Sequence, residues 1–191
     1  MLTKKFFKDN PVKENTAQQF AYSILLYDGL EELAVEFSKT RIKRGEEEAE
    51  AIKNESSPEA LLKRMRGKCD PLNYVLLHMK ILEQEETLLP VIIEKLKTSG
   101  NDVFIEHSIK LIKKAKTNYC EKLVEMIDEI RSPYALSLVC ILIGFLGSES
   151  DIELLLRKHA ELKSLYPDSD YEQGALLGII ELRERFNLLQ R

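Results

Sequence analysis

Residues 88–96 read Leu-Leu-Pro-Val-Ile-Ile-Glu-Lys-Leu, and two segments of similar pattern follow: Tyr-Cys-Glu-Lys-Leu-Val-Glu-Met-Ile at 119–127 and Ile-Glu-Leu-Leu-Leu-Arg-Lys-His-Ala at 152–160. The three segments recur every 31 to 33 residues. Each follows another apolar segment, at 72–82, 104–115 and 133–147. Two helices in about 32 residues, joined by short turns, are typical of a helical solenoid.

The apolar residues in these segments follow the 3.6-residue period of a helix and not the alternation of a strand. The four predicted stripes are Leu72, Val75, Leu76, Met79 and Leu82; Phe104, Ile105, Ser108, Ile109, Leu111, Ile112 and Ala115; Leu123, Val124, Ile127 and Ile130; and Ile152, Leu155, Leu156, Ala160 and Leu162. Helix starts are also marked, because Ser57-Pro58 and Ser132-Pro133 each place a capping side chain before a proline. We therefore predict an all-α protein.

Two helices near the C-terminus have distinct patterns. Residues 133–147 are apolar nearly all round, which predicts a helix buried on most sides. The last predicted helix, about 170–189, carries Gly174 and Gly178 four residues apart, which indicates close packing against a neighbouring helix. The polar residues of this helix lie away from its apolar side, which predicts a terminal cap with a polar outer surface.

The N-terminal part is less regular. We predict one helix from about Thr16 to Tyr27 and a second from about Leu30, followed by a charge-rich stretch and a polar linker at 53–57. The predicted organisation is an N-terminal helical region with its linker, residues 1–57, and a helical repeat domain, residues 58–191.

The repeating segments carry a family resemblance. Leu-Leu-Pro-Val-Ile-Ile-Glu-Lys-Leu-Lys at 88–97 resembles the second helix of a HEAT repeat, and residues 133–147, with small residues and a closing glycine, resemble a first helix. The resemblance covers roughly 70–189 and implies a right-handed α-solenoid of antiparallel helix pairs, HEAT-like and of armadillo type. The tetratricopeptide repeat has a similar period, but its Trp-containing signature is absent.

Composition and charge bear on partners and location. The chain has 28 basic and 32 acidic residues, a formal charge of −4, so nothing in the overall balance attracts nucleic acid. The best basic cluster is Lys110, Lys113, Lys114 and Lys116, interpreted as a solvated outer face. Cys69, Cys120 and Cys140 are widely spaced and are predicted to be free thiols of a reducing compartment. Without a recognisable signal peptide or membrane span, we expect a soluble cytoplasmic protein.

No catalytic constellation is evident. His78, His107 and His159 are far apart in the sequence, and each is predicted to be a surface or boundary residue without metal-ligand spacing. Cys120 adjoins an acidic residue but is interpreted as a buried filler at a helix start. We therefore predict no catalytic, cofactor-binding or metal-binding residues, and an enzyme is the less favoured interpretation.

The functional prediction rests on the second helices, which line the concave side in HEAT-like proteins. Glu121, Glu125, Asp128 and Glu129 are spaced as one acidic helical stripe, and the next second helix mixes Glu153, Arg157, Lys158 and Glu161. The predicted partner-binding residues are Glu121, Glu125, Asp128, Glu129, Arg157 and Glu161. They predict a non-enzymatic module that presents a weakly acidic concave surface to a protein or peptide, with a basic partner favoured by charge.

Two other functions stay open. One is a nucleic-acid-processing enzyme of HEAT type, or another small helical enzyme. The other is a structural or assembly protein that packs through its ends or faces. The sequence does not indicate the oligomeric state.

Overall fold

The computed structural model describes residues 3–27, 45–68 and 70–188. Across these residues the chain forms eleven α-helices, two 3₁₀ turns and no strand, so the prediction of an all-α protein is confirmed. The helices are α1 (Lys4–Asp9), α2 (Ala17–Leu26), α3 (Glu46–Lys53), α4 (Pro58–Arg64), α5 (Pro71–Leu82), α6 (Glu85–Leu96), α7 (Asp102–Lys114), α8 (Cys120–Met126), α9 (Pro133–Leu146), α10 (Ile152–Leu165) and α11 (Glu172–Phe186). The 3₁₀ turns are Ile127–Glu129 and Glu149–Asp151.

The predicted Ser-Pro starts cap their helices. The Ser57 hydroxyl accepts a hydrogen bond from the amide of Ala60, and the Ser132 hydroxyl accepts one from the amide of Ala135. Each bond satisfies one of the backbone donors that a helix leaves unpaired at its N-terminus. Proline follows at the first helical position, where its missing N–H costs nothing.

The described residues form two compact units. The middle unit comprises residues 24–27, 45–68 and 70–116, and the terminal unit comprises residues 3–23 and 117–188. These units divide the chain differently from the predicted regions 1–57 and 58–191, and that boundary stays a prediction. The helix predicted from about Leu30, and the thiol predicted at Cys69, lie outside the described residues.

In the middle unit, helix α5 buries a different face from the predicted apolar stripe. Asn73, Leu77, His78 and Ile81 are buried, whereas Met79 is 55% exposed, so this stripe prediction was wrong. The reason is that polar side chains have partners on the buried face. The amide of Asn73 donates to Glu48 Oε2 at 2.6 Å and to the Gly45 carbonyl at 3.2 Å, beside α3.

In the terminal unit, α9 is buried from Ala135 to Gly144 without a break, as the sequence predicted. It packs chiefly against α11. At this crossing a Cβ on Gly178 would fall against the Cys140 carbonyl oxygen, and one on Gly144 would lie 2.6 Å from the Gly178 Cα. The predicted close helix packing at Gly174 and Gly178 is therefore confirmed.

The outer side of α11 is only in part the polar cap that the sequence predicted, because Glu184 and Arg185 are exposed but the N-terminal segment covers other positions of the helix. The Lys13 amide donates to Gln173 Oε1 at 2.9 Å, and the Tyr22 hydroxyl donates to Glu181 Oε2 at 2.8 Å. The Arg183 guanidinium lies 4.7 Å from the centre of the Phe7 ring. With α9 and α10 packed against its other sides, residues 172–179 are buried throughout.

No helix in the described ranges is both long and apolar enough to cross a membrane.

Candidate functional site

The predicted acidic stripe lies on α8 and on the turn that follows it. Glu121, Glu125, Asp128 and Glu129 are all exposed, and Leu123 on the opposite side is buried. Helix α8 ends at Met126, however, and the last two carboxylates belong to the 3₁₀ turn. Since a 3₁₀ turn has three residues per turn, the four side chains do not follow one α-helical row.

An ion-pair cluster joins this turn to α10, and it contains three of the predicted residues. Both carboxylate oxygens of Asp128 accept from the Arg157 guanidinium, at 2.9 and 3.2 Å. The Lys158 ammonium lies 2.6 Å from the same carboxylate and 2.7 Å from Glu161 Oε2. The structure therefore brings Asp128, Arg157 and Glu161 together around Lys158.

Lys158 lies at the centre of this cluster but was not among the binding residues predicted from the sequence. Its side chain is 2% exposed, while Asp128 is 61% exposed, so the lysine connects the core to the surface. Burial lowers the pKa of Lys158, but its hydrogen bonds to Asp128 and Glu161 outweigh that effect and raise it overall. Position 158 lies three residues after buried Leu155 and four before buried Leu162, so the helical period does place it on the buried side.

The charges of the cluster cancel. Hydrogen bonds from Arg157 and then Lys158 hold the pKa of Asp128 at about 2, so this carboxylate stays ionised and paired at neutral pH. Two cations face two carboxylates, Asp128 and Glu161, and the exposed side chains of Glu121 and Glu125 lie outside this cluster. Lys122, on the same helix, lies over the Tyr119 ring at 5.6 Å.

The three histidines are buried, so their predicted surface or boundary placement was wrong. His78 on α5 and His107 on α7 meet directly, with His78 Nε2 2.7 Å from His107 Nδ1. The Tyr74 ring lies beside the His107 ring, with centroids 4.5 Å apart and planes inclined at 46°. Neighbouring helices thus pair two residues that are 29 positions apart. His107 lies between buried Phe104 and Leu111 at helical spacing, a signal that the sequence did contain.

The cysteines of the terminal unit are structural. Cys120 is the first residue of α8 and Cys140 lies inside α9, and both are buried. Burial raises the pKa of Cys120 to about 11 and that of Cys140 to about 12. A thiol must ionise to act as a nucleophile, so neither is activated, and the interpretation of Cys120 as a buried filler is confirmed.

The basic cluster predicted as a solvated face is only partly exposed. Lys114 and Lys116 are exposed, while Lys110 and Lys113 on α7 are half-buried. The Lys116 amide donates to Glu85 Oε2 at 2.9 Å, which ties the end of this segment to the start of α6.

Within the part of the chain that the structure describes, no group of three or more His, Cys, Asp or Glu side chains could hold a metal ion. Comparisons with known protein families, with curated proteins and with solved structures give no significant match.

Proposed function

We propose that this chain is a short right-handed α-solenoid of HEAT-like type and acts as a non-enzymatic protein-interaction module. Its binding surface is formed by α8, the following turn and α10 in the terminal unit. The partner is a protein or peptide segment that presents basic side chains to Glu121 and Glu125.

Contacts between alternate helices support the solenoid arrangement. In a solenoid of helix pairs, first helices pack on first helices and second helices on second helices. In the terminal unit, first helices α9 and α11 touch where Gly144 meets Gly178, and the turn after α8 meets α10 through Asp128. In the middle unit, α5 and α7 meet at the paired histidines.

The observation that carries the functional proposal is the ion-pair cluster between the 3₁₀ turn and α10. It fixes two successive second helices side by side, so that their exposed polar side chains share one surface. Because its own charges cancel, the carboxylates available to a partner are those of Glu121 and Glu125 beside it. Such charge attracts a basic segment and sets the rate and specificity of encounter more than the final affinity.

The test is an affinity capture from native lysate, quantified by mass spectrometry, with wild type and the variant Glu121→Lys/Glu125→Lys. These two residues lie outside the ion-pair cluster, so their reversal leaves Asp128 and Lys158 paired. The matched control is Glu46→Lys/Glu50→Lys on α3. Its two glutamates are also four residues apart, and the first of them also lies in the first turn of its helix. The control therefore changes the net charge by the same amount as the α8 variant.

We expect a stoichiometric partner that is captured by wild type and by the control but lost from the α8 variant. Capture should weaken as salt rises, since the attraction of exposed charges is screened over about 8–10 Å. A partner retained by both variants would refute the acidic surface, and one lost from both would show a nonspecific charge effect. Circular dichroism of all three proteins verifies that each is folded.

A further inference from the structure

The terminal unit is assembled from two pieces of chain that are far apart in the sequence. Residues 117–188 form α8 to α11, and the N-terminal segment, residues 3–23, packs against them. The whole middle unit separates the two pieces along the chain. A second copy of the chain can therefore supply the N-terminal segment with its contacts retained. Such an exchange of identical elements between protomers is a low-cost route to a dimer.

The N-terminal segment lies on the surface of this unit and buries few of its own side chains. Helix α1 has no buried residue, and no residue from 3 to 15 is buried. The two buried side chains of the segment, Thr16 and Gln18, are polar. Burial of apolar side chains is the main favourable term in folding. The segment can therefore detach without removing a buried apolar side chain from the core, whereas a helix such as α9 cannot.

The face under the N-terminal segment is polar. This docking face lies on α10, the turn after it and α11, and its contacts with the segment are made chiefly by His159, Lys163, Asp170, Gln173, Glu181 and Arg183. Because water can form hydrogen bonds with such groups, a docking face whose segment has detached loses less than an apolar face would. The face can then receive a segment from another chain.

Two aromatic rings anchor the start of the segment. The Phe6 ring meets the His159 ring edge-on, with centroids 5.5 Å apart. The Arg183 guanidinium lies 4.7 Å from the centre of the Phe7 ring, which is within the range of a cation–π contact. Both contacts depend on the electron distribution of the rings, so the docking face selects two adjacent aromatic side chains.

Charge selects the rest of the segment. The Lys13 ammonium lies 2.8 Å from Asp170 and 2.9 Å from Glu172. Within the N-terminal segment, four lysines outnumber the carboxylates of Asp9 and Glu14. Residues 117–188, in contrast, carry thirteen Asp and Glu residues against seven Lys and Arg residues. The segment is thus basic and the rest of the unit is acidic, and this complementarity favours a basic segment as the occupant.

We propose that the docking face binds the N-terminal segment of a second copy of this chain, so that two chains exchange their segments in a dimer. The identical sequence supplies Phe6, Phe7 and Lys13 at the spacing that the face accepts. A segment tethered to its own chain acts at an effective concentration of up to about the millimolar range, so exchange should increase with protein concentration. The exchange does not involve Glu121 or Glu125 and is independent of the proposed protein-binding surface.

The test mixes full-length protein of natural isotope content with full-length ¹⁵N-labelled protein, at total concentrations up to about the millimolar range. A carbodiimide then joins the Lys13 ammonium to the Asp170 carboxylate, and mass spectrometry identifies the isotopes of the two joined peptides. We expect pairs with one peptide of each isotope in the fraction that elutes as a dimer, increasing with concentration. Pairs of like isotope alone would overturn the proposal, whether or not a dimer forms.

Two charge-reversed variants test the same contact independently. Lys13→Glu alone and Asp170→Lys alone each place like charges together within one chain, and both residues are about half exposed, so neither change disturbs the core. When the two variants are mixed, the reversed charges match only between chains. We expect the mixture to form about fivefold more dimer than either variant alone, the effect of gaining one exposed ion pair.

The matched control is Lys5→Glu, an exposed position in the same segment. Its mixture with Asp170→Lys should form no more dimer than Asp170→Lys alone. If the two mixtures formed equal amounts of dimer, the contact between Lys13 and Asp170 would not lie between chains and the proposal would be refuted.

Discussion

Gly174→Ala tests a close contact between α9 and α11 in the terminal unit. A Cβ at this position would fall against the carbonyl oxygen and the hydroxyl of Ser137 on α9, and 2.6 Å from its carbonyl carbon. Carbon atoms pack best at about 3.5–4.0 Å, so the helices would have to separate by about 1 Å. Backbone atoms of α9 cannot rotate away as a flexible side chain would.

The expected loss of stability follows from three effects. Overpacking a close-packed core costs about 1–3 kcal/mol. The separation would also lengthen the hydrogen bond that the Ser137 hydroxyl donates to the Tyr171 carbonyl at 2.6 Å. A hydrogen bond of this kind contributes about 1 kcal/mol to stability. Alanine returns up to about 1 kcal/mol through its better helix propensity. We therefore expect the free energy of unfolding to fall by about 2 kcal/mol, lowering Tm by about 4–8 °C.

The assay is urea unfolding monitored by circular dichroism, with Gly100→Ala as the matched control. A Cβ on Gly100 has no neighbour within 4 Å, so this variant should be as stable as wild type or more stable by about 0.4–1 kcal/mol. If Gly174→Ala were as stable as the Gly100 variant, α9 and α11 would not be in backbone contact, and the packing described for the terminal unit would be wrong.

Two further predictions concern the ion-pair cluster and the buried thiols. Asp128→Asn should lower the free energy of unfolding at pH 7 by at most about 1 kcal/mol, because the carboxylate is mostly exposed and solvent screens its pairs. The folded-state pKa of Asp128, about 2, lies below its usual 3.8. The stabilisation is therefore present above pH 4 and is lost as the pH falls to 2. The urea unfolding curves of wild type and variant should converge over that range. Native Cys120 and Cys140 should react with iodoacetamide at pH 8 at least about a hundredfold more slowly than in urea, by peptide mass spectrometry, because a pKa of about 11 leaves roughly one thiol in a thousand ionised. Rapid native labelling of either cysteine would contradict its burial.

Local signals in the sequence predicted most of the helices. Helix α9 could be predicted to be buried because fourteen residues without a charge have no face to offer to water. The Ser-Pro starts of α4 and α9 were predictable because the capping hydrogen bond joins residues only three positions apart, so the local sequence contains both of them. The same holds for Gly174 and Gly178, whose spacing already places them on one face.

The errors in the sequence analysis arose where polar residues occupy buried faces. On α5 the apolar residues suggested one stripe, but the helix instead buries Asn73 and His78, which have partners on other helices. Periodicity indicates which positions share a helix face. It does not indicate that a side chain distant in the sequence will form a hydrogen bond with a polar residue buried on that face. The cover over α11 was unpredictable for the same reason, since its bonds to Lys13 and Tyr22 join residues about 160 positions apart.

The functional prediction for the acidic surface was limited in the same way, because helical spacing does not indicate which carboxylates are paired. Counting carboxylates at helical spacing assigned equal weight to Glu121, Glu125, Asp128 and Glu129. In the structure Asp128 is held by a guanidinium and by a buried ammonium, so it contributes to the packing of α10 and little to the outward field. Reversing Asp128 would therefore break the ion-pair cluster and alter any binding surface at the same time. Reversing Glu121 and Glu125 separates the two effects, because their carboxylates are exposed and lie outside the cluster.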